Sequence, residues 1–345
     1  MSMSELADLV QVLSGARHLV VFLHDNPDPD AMAAGWLLAR IGESVGAATR
    51  VVYGGSLGRA ENRAMARVLD IPLSPLGEAD LPAGKDTVYG LVDTQPGSGN
   101  NSFPDERLAA DIVIDHHAPR PGLQARFLDI RLDEGCSTTL VLQHFEALGL
   151  ELDAALATAA LYAIVSETQD LGREATRADN AAYLKLVEKA QLTSLGRIRH
   201  PTRDRDYYRT VARALSQVTV GRNTCICHIG PVPYPEVVAE MADFLVAMQQ
   251  ISWCLVSGLR EGEMTLSIRT TNIKDGQPEL VMKKVLGRSG RGGGHGAMAG
   301  GSAPCEDPAR YEVLCERFTE RFLEQLQRRQ PERLRPLLAP DDGEP

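Results

Sequence analysis

The sequence predicts an α/β protein of two domains. The N-terminal domain has a parallel sheet with helices on both faces, and a smaller C-terminal α/β domain has a mixed sheet. The chain has 345 residues, which is too long for one ordinary hydrophobic core. In the first half, short β-branched runs alternate with amphipathic stretches, as in parallel strands joined by helices. Beyond residue 216 the apolar runs follow at hairpin spacing, which indicates the smaller mixed sheet.

The elements of the first half follow from apolar periodicity. Buried strands are predicted at 18–24, 49–55, 87–95 and 110–119, and helices at 31–42, 137–150 and 153–168. Pro27 and Pro29 are expected to prevent the first of these helices from starting earlier. Ser137 is a suitable N-cap for the helix at 137–150.

The second half begins with a helical stretch at 180–192 and an arginine-rich segment interrupted by Pro201. Strand and helix patterns then alternate up to a strongly amphipathic helix at 308–327. We therefore divide the chain into four parts: the N-terminal domain 1–190, a connector 191–215, the C-terminal domain 216–335 and a tail 336–345.

Composition narrows the function classes. The net charge of −10 argues against a broad electrostatic grip on long duplex DNA but is compatible with a small phosphorylated ligand. The cysteines form no pair of zinc-binding CxxC units and the start has no secretory apolar run, so we expect a cytoplasmic protein. No apolar run approaches the roughly 20 residues that cross a bilayer, so no membrane association is expected.

Acidic and histidine residues follow the ends of the predicted strands, where ligands bind in open α/β sheets. The first group is His24, Asp28 and Asp30. In an extended segment Asp28 and Asp30 project to the same side and can face one cation, with His24 in reach. Carboxylate and imidazole ligands without a thiolate suit Mn²⁺, Mg²⁺ or Fe²⁺. Alternatively, the segment is a polar turn in which Asp25 or Asp28 caps the next helix.

Further groups follow the later strands. In "VIDHHAP" adjacent residues point to opposite sides if the strand continues through residue 117, so one histidine can bind metal while the other meets substrate or is held by Asp115. Alternatively, both are hydrogen-bonded histidines at a strand end. Asp93 ends an apolar strand, where it either caps a turn or bridges two cations. Glu167 and Asp170 follow a helix; either is a candidate metal ligand, and the alternative is a polar loop at the end of the helix.

The stretch "GRSGRGGGHGAMAGGS" (287–302) is too rich in glycine for a regular helix or strand, so we expect a loop whose N–H groups surround an anion. His295 adds a donor at its centre. The basic residues near it in sequence are Arg269, Lys274, Lys283, Lys284, Arg288 and Arg291. A flexible linker is the alternative.

Five segments, in order and spacing, resemble the DHH phosphoesterase family. "HDNPDPDAMAA", "VDTQ", "VIDHHAP" and "SETQD" are similar to its four DHH motifs, and "GRGGGHGAMAGG" is similar to the glycine motif of its DHHA1 domain. The resemblance extends over residues 15–325 and is strongest to compact members that act on short oligonucleotides (nanoRNA) or 3′-phosphoadenosine 5′-phosphate (pAp).

The resemblance implies a DHH domain followed by a DHHA1 domain, and a di-metal site. Two Mn²⁺ ions, or Mg²⁺, would be held by His24, Asp28, Asp30, Asp93, His116 and Glu167, with Asp93 shared. His117, held by Asp115, would face the scissile phosphate. Substrate phosphate would contact Arg269, Gly293, Gly294 and His295. The expected activity is hydrolysis of short oligonucleotides or small nucleotides by a di-metal-activated water. A homodimer is compatible with the sequence.

Three positions depart from the family pattern. Glu167 stands where aspartate is common, which leaves Asp170 as an alternative ligand. Arg291 replaces a fourth glycine, and threonines follow Arg269 instead of Ser-Lys. The alternatives to the expected activity are a cyclic-dinucleotide phosphodiesterase, a polyphosphate hydrolase and a nucleotide sensor without turnover.

Overall fold

The computed structural model describes residues 3–78, 81–104, 109–272, 276–326 and 333–339. The chain divides into two compact units, Met1–Thr202 and Arg203–Pro345. The boundary between them falls within the predicted connector 191–215. Each unit has its own sheet and hydrophobic core. Within the described ranges no helix is long and apolar enough to cross a membrane.

The first unit is built on a parallel sheet. Its strands are β1 (His18–Phe22), β2 (Ala48–Tyr53), β3 (Leu73–Pro75), β4 (Thr87–Val92), β5 (Ile112–Asp115) and β6 (Phe127–Ile130). Its helices are α1 (Met3–Leu13), α2 (Pro29–Ser44), α3 (Ala60–Leu69), α4 (Ser137–Ala147), α5 (Ala154–Glu167), α6 (Arg177–Lys189) and α7 (Leu192–Arg199). The strand order is β3-β2-β1-β4-β5-β6, with every pair of neighbours parallel. The predicted parallel sheet is confirmed; α1, α3, β3 and β6 are additions to the predicted elements.

The two faces of this sheet are covered differently. Leu19 and Val21 of β1 pack against the helices in the larger core. Val20 and Phe22 point to the opposite face, where Phe103 meets Phe22 edge-on. The sequence predicts helices on both faces. Among the described residues, those packed on the second face come from segments that connect the strands.

Two helices begin differently from the prediction. Helix α2 starts at Pro29, not at residue 31, because proline at the first helical position lacks only an N–H that would have no partner there. Asp28 is its N-cap. Helix α4 has Cys136 at the N-cap without a side-chain cap, so Ser137 is the first helical residue and not the predicted cap.

The second unit contains the predicted mixed sheet. Its strands are β7 (Thr219–Val220), β8 (Thr224–Pro231), β9 (Trp253–Arg260), β10 (Glu263–Thr270), β11 (Arg291–His295), β12 (Met298–Pro304) and β13 (Arg335–Pro336). Its helices are α8 (Arg205–Gln217), α9 (Glu236–Val246), α10 (Pro278–Leu286) and α11 (Pro308–Leu326). The strand order is β11-β12-β10-β9-β8-β7-β13, and β8 and β9 are the parallel pair. Helices α10 and α11 cover one face, and α8 and α9 cover the other.

The glycine-rich stretch forms a hairpin, so the expectation of a loop without strands is wrong. Strand β11 pairs antiparallel with β12 at the edge of the sheet. Helix α10 packs so closely on this hairpin that a Cβ at Gly292 or Gly301 would lie 2.7 or 2.6 Å from the Leu286 side chain. The close approach of the helix therefore favours glycine at these two positions, and glycine inside a strand often marks such an approach.

Candidate metal centre

The polar groups gather at the carboxyl edge of the first sheet, where β1, β4 and β5 are neighbours. His24 follows β1, Asp93 directly follows β4, and Asp115 ends β5. The chain order reverses between β1 and β4, so this is the topological switch point, where α/β sheets leave a crevice for ligands. Because β4 lies between β1 and β5, Asp93 is placed between the groups that the other two strands carry.

The Asp93 carboxylate faces a histidine on each side. Its Oδ2 lies 3.6 Å from Nε2 of His24, and its Oδ1 lies 3.5 Å from Nε2 of His116. The residue is 4% exposed and has a φ of 57°, a left-handed conformation that aspartate tolerates better than most residues. Two groups of candidate ligand atoms meet here: His24, Asp28 and Asp93, and Asp93, His116 and His117. Asp93 belongs to both groups.

Both inward-facing histidines are oriented by backbone carbonyls. Nδ1 of His24 lies 2.9 Å from the carbonyl oxygen of Asp25, and Nδ1 of His116 lies 3.3 Å from that of Glu134. Because a carbonyl oxygen accepts a hydrogen bond from Nδ1–H, Nδ1 is occupied and Nε2 faces the cluster, where it can bind a metal ion once it has lost its own proton. This is how metal-binding histidines are usually held.

Asp28 and Asp30 reach the cluster from a helix start and not from an extended segment, so the reasoning from alternation is wrong. Oδ1 of Asp28 caps α2, accepting N–H groups of Asp30 and Ala31, and lies 3.6 Å from Nε2 of His24. Asp30 is in the first turn and is 1% exposed. Its two oxygens accept the N–H groups of Ser137 and Thr138, at 2.7 and 2.8 Å.

The structure separates the two candidate acids of the fourth motif. Glu167 ends α5, and its carboxyl interacts electrostatically with Asp28, Asp93 and His116. Asp170 forms a 2.9 Å ion pair with Arg199, and its side chain is 67% exposed. Glu167 therefore belongs to the acidic cluster, whereas Asp170 is occupied by a surface ion pair.

His117 is held by Asp115. Nδ1 of His117 lies 2.8 Å from Oδ1 of Asp115, whose Oδ2 accepts a hydrogen bond from the Gln95 side chain at 2.7 Å. The same Nδ1 lies 3.8 Å from Oδ1 of Asp93. It cannot donate to Asp115 and also offer a lone pair to a metal ion, so this geometry favours a role other than ligand for His117. The two histidines would point to opposite sides only if the strand continued through residue 117. Strand β5 ends at Asp115, so this condition is not met, and the ring centroids of His116 and His117 lie 4.3 Å apart.

The pKa shifts show an excess of negative charge. Burial would lower the pKa of both histidines. For His24, the hydrogen bond and charge of Asp28 outweigh burial and raise the pKa to about 10. For His116, the hydrogen bond and charge of Asp93 do the same and raise the pKa to about 10. Burial and the charge of Asp93 raise the pKa of Asp30 well above its usual range. Burial and the charges of Asp28 and Asp93 raise the pKa of Glu167 to about 7. Divalent cations would relieve this repulsion, and oxygen and imidazole donors without thiolate fit Mn²⁺ or Mg²⁺.

The predicted phosphate-binding residues lie in the second unit. Arg269 is in β10 and 9% exposed, its guanidinium bonded to Asp243 and, at 2.7 Å, to the Ser267 hydroxyl. Gly293 and Gly294 lie in β11. Arg269 pairs with Met298, which also pairs with His295, so Arg269 and His295 share one row of three strands. The side chains of His295 and Lys274 lie outside the described residues.

One segment that contacts the predicted ligands was not predicted from the sequence. The segment 134–138 supplies the Glu134 carbonyl to His116, the Ser137 hydroxyl to Asp93, and two backbone N–H groups to Asp30. The "CSTT" run before an apolar helix was a signal for a helix start only, since hydrogen bonds between distant segments are not visible in the sequence.

Comparisons with known proteins agree with this architecture. No protein-family model matches the chain. An uncharacterized protein of Methanocaldococcus jannaschii, MJ1633, is 30% identical over 287 residues, 83% of this chain, and the chain spans 58% of that relative's length. The structure of an exopolyphosphatase-related protein from Bacteroides fragilis matches with a TM-score of 0.69 and 13% identity, over 94% of this chain and 96% of that one.

The structure of the PF0399 DHH domain, described as a member of the s1p family of ribosomal proteins, matches with a TM-score of 0.47 and 12% identity, over 92% of this chain and 89% of that one. The fold shared with the exopolyphosphatase-related protein extends over nearly the whole of both chains. The chain thus has the two-part architecture that its resemblance to DHH phosphoesterases implies, a parallel sheet with helices followed by a separate mixed sheet.

Proposed function

We propose that this chain is a metal-dependent phosphoesterase of the DHH family that hydrolyses phosphodiester or phosphomonoester bonds in short oligonucleotides or small nucleotides. One observation carries the proposal: the two oxygens of the buried Asp93 carboxylate face two different histidines, each presenting Nε2 because a backbone carbonyl holds its Nδ1. A carboxylate so placed suits a pair of cations that share it.

Two ions would be held by His24, Asp28, Asp30, Asp93, His116 and Glu167. When bound, two such ions lower the pKa of a water molecule and stabilise negative charge on the leaving oxygen. Glu167 is the proposed fourth-motif ligand because its carboxyl interacts with the cluster, whereas Asp170 pairs with Arg199. Mn²⁺ is the proposed ion, and Mg²⁺ suits the same oxygen-rich donors.

His117 is the proposed general acid. Burial would lower its pKa, but the hydrogen bond with Asp115 and the charge of Asp93 outweigh burial and raise the pKa above its usual value. Asp115 therefore favours the protonated ring and fixes Nδ1, so the proton available for transfer is the one on Nε2. As the bond between phosphorus and the leaving oxygen breaks, that oxygen takes this proton, which typically contributes 10²- to 10⁴-fold to a rate.

The second unit is the proposed substrate-binding part. Arg269, Gly293, Gly294 and His295 would contact substrate phosphate, as the resemblance implies. Two features of the described residues support this: Arg269 shares its row across the strands with His295, and nothing lies within 4 Å of a Cβ built on Gly293, so its face of the hairpin is open. The net charge of −10 favours a short ligand over long duplex DNA.

A second candidate substrate is polyphosphate. The matched Bacteroides fragilis protein is described as exopolyphosphatase-related, and its fold covers 94% of this chain. The same pair of ions and the same acid would hydrolyse a phosphoanhydride bond, so the first unit alone does not distinguish the two substrates. Cyclic dinucleotides are the remaining alternative.

The test is hydrolysis of a panel by protein whose metal content is measured in the same sample. The panel contains an RNA dinucleotide, pAp, cyclic di-AMP and polyphosphate, each with Mn²⁺, with Mg²⁺ and with chelator. We expect Mn²⁺-dependent turnover of the dinucleotide or pAp, two ions bound per chain, and loss of turnover in Asp30→Ala and His116→Ala. Tight nucleotide binding without hydrolysis at any metal would identify a sensor instead, and near-native activity of either variant would refute the site.

A further inference from the structure

The segment that leads from β6 into the first turn of α4 reaches several predicted ligands at once. We call residues 134–138 the 134–138 loop. The Glu134 carbonyl orients His116, and the N–H groups of Ser137 and Thr138 hold both oxygens of Asp30. The Ser137 hydroxyl donates to Oδ1 of Asp93 at 3.0 Å. None of these groups is itself a predicted ligand, so the loop would act on the ions only through the residues that hold them.

The Ser137 contact is selective for one side of Asp93. It goes to Oδ1, the oxygen 3.5 Å from Nε2 of His116, whereas Oδ2 faces His24 at 3.6 Å. At 3.0 Å, the hydroxyl lies closer to this carboxylate than the ring nitrogens of the neighbouring histidines do, which lie at 3.5 to 3.8 Å. Ser137 is fully buried, so water does not compete for the hydroxyl.

The 134–138 loop is held in place by another buried carboxylate, which is not a predicted ligand. Asp179, with no exposed surface, accepts the Gly135 N–H at 3.1 Å and the Thr176 N–H at 2.8 Å. Thr176 also donates to the Glu134 carboxylate at 2.9 Å. The position of Ser137 is therefore set independently of Asp93, as a group that orients another must be.

We propose that Ser137 is a positioning residue that supports one of the two predicted cation sites, the site formed by Oδ1 of Asp93 with His116, and not the site formed by Oδ2 with His24. The inference deepens the proposed function and rests on its pair of ions. Groups that hydrogen-bond to a ligating carboxylate typically change metal affinity by about 10- to 100-fold when removed. Only one of two binding steps should show that change.

Ser137→Ala is a clean variant because the Ser137 N–H that holds Asp30 belongs to the backbone and remains. Ser44→Ala is the matched control: it removes a serine hydroxyl that donates to the Ile41 carbonyl at the far end of α2. Chelator-treated protein is titrated with Mn²⁺ alone by calorimetry, and free Mn²⁺ is followed by electron paramagnetic resonance. His24→Ala and His116→Ala assign the two binding steps.

The expected result is a step assigned to His116 that weakens about 10-fold or more in Ser137→Ala, while the step assigned to His24 and both steps in Ser44→Ala stay as in the wild type. Equal weakening of both steps, or no change in either, would overturn the proposal. If Ser137→Ala does not fold, Ser137→Thr, which retains the hydroxyl, must keep both steps. A wild-type chain that binds no pair of Mn²⁺ ions would instead refute the proposed function itself.

Discussion

Glu167→Gln tests both the electrostatics of the cluster and the choice between Glu167 and Asp170. Burial and the charges of Asp28 and Asp93 raise the Glu167 pKa from 4.5 to about 7. The folded protein therefore binds the proton more tightly than the unfolded chain does. Ionisation of Glu167 costs folding free energy: the cost is absent below pH 4.5, grows through the interval and is complete above pH 7.

The size of the cost follows from the shift. A difference of 2.5 pKa units corresponds to about 3 kcal/mol at 1.36 kcal/mol per unit. Glutamine has nearly the same shape and no charge, so it removes this cost. In metal-free protein near pH 8.5 we expect Glu167→Gln to raise the melting temperature by roughly 5 to 10 °C, and to have little effect near pH 4.5.

Bound metal should reverse the order of the two melting temperatures. A ligand that binds the folded state stabilises it by mass action, so Mn²⁺ should raise the melting temperature of the wild type more than that of Glu167→Gln. Asp170→Asn is the control: it breaks an exposed ion pair with Arg199, worth about 1 kcal/mol or less, and should leave the response to Mn²⁺ unchanged.

The assay is thermal unfolding by circular dichroism, with chelator and with saturating Mn²⁺, at both pH values. The reasoning is refuted if metal-free Glu167→Gln is no more stable than the wild type at high pH. If Asp170→Asn, and not Glu167→Gln, loses the response to Mn²⁺, the assignment of the fourth-motif ligand is reversed.

Three further outcomes are expected. Asp115→Asn weakens the hold on Nδ1 of His117 and should lower turnover about 10²- to 10⁴-fold while two Mn²⁺ ions still bind in calorimetry; loss of an ion would contradict this. His116→Ala should abolish Mn²⁺-dependent turnover with an unchanged circular dichroism spectrum. Gly294→Ala, whose Cβ would lie 2.3 Å from a backbone carbonyl oxygen, should lower the free energy of unfolding of the second unit by about 1 to 3 kcal/mol in urea. Gly293→Ala is the control, because nothing lies within 4 Å of its Cβ. Equal urea midpoints of the two variants would contradict the hairpin packing.

The gathering of the site was predictable from the sequence because parallel strands share a carboxyl edge. Polar residues directly after β1, β4 and β5 must lie at that edge whatever the strand order. The central position of Asp93 was not predictable by that argument, since it depends on β4 lying between β1 and β5. Strand order is set by how the helices and connections pack, which periodicity does not reveal.

The roles of Asp28 and Asp30 show where local reasoning stops. Alternation in an extended segment brought both carboxylates to one side, but Pro29 begins a helix and Asp28 caps it. Asp30 then accepts the N–H group of Ser137, 107 residues away. A contact of this kind depends on the tertiary fold and leaves no periodic trace in the sequence.

The glycine-rich stretch shows tertiary packing overriding local preference. Glycine disfavours strands because it loses more backbone entropy on folding, which is why a loop was expected. Here the Leu286 side chain of α10 approaches so closely that a Cβ at Gly292 or Gly301 would force it to shift. Glycine weakens the strand locally, but it also lets α10 pack against the hairpin. This packing stabilises the hydrogen-bonded pairing of β11 with β12.

Folding and metal binding should be coupled in the first unit. The raised pKa values of Asp30 and Glu167 show that their carboxylates repel their neighbours in the metal-free protein. The N–H groups at the start of α4 offset part of this for Asp30, while Glu167 interacts with the cluster mainly through unfavourable charge. The carboxylates that the proposed ions require therefore cost stability until the ions bind. We expect Mn²⁺ to stabilise the first unit more at pH 8 than near pH 5. Near pH 5 Glu167 is protonated, and the metal must displace its proton.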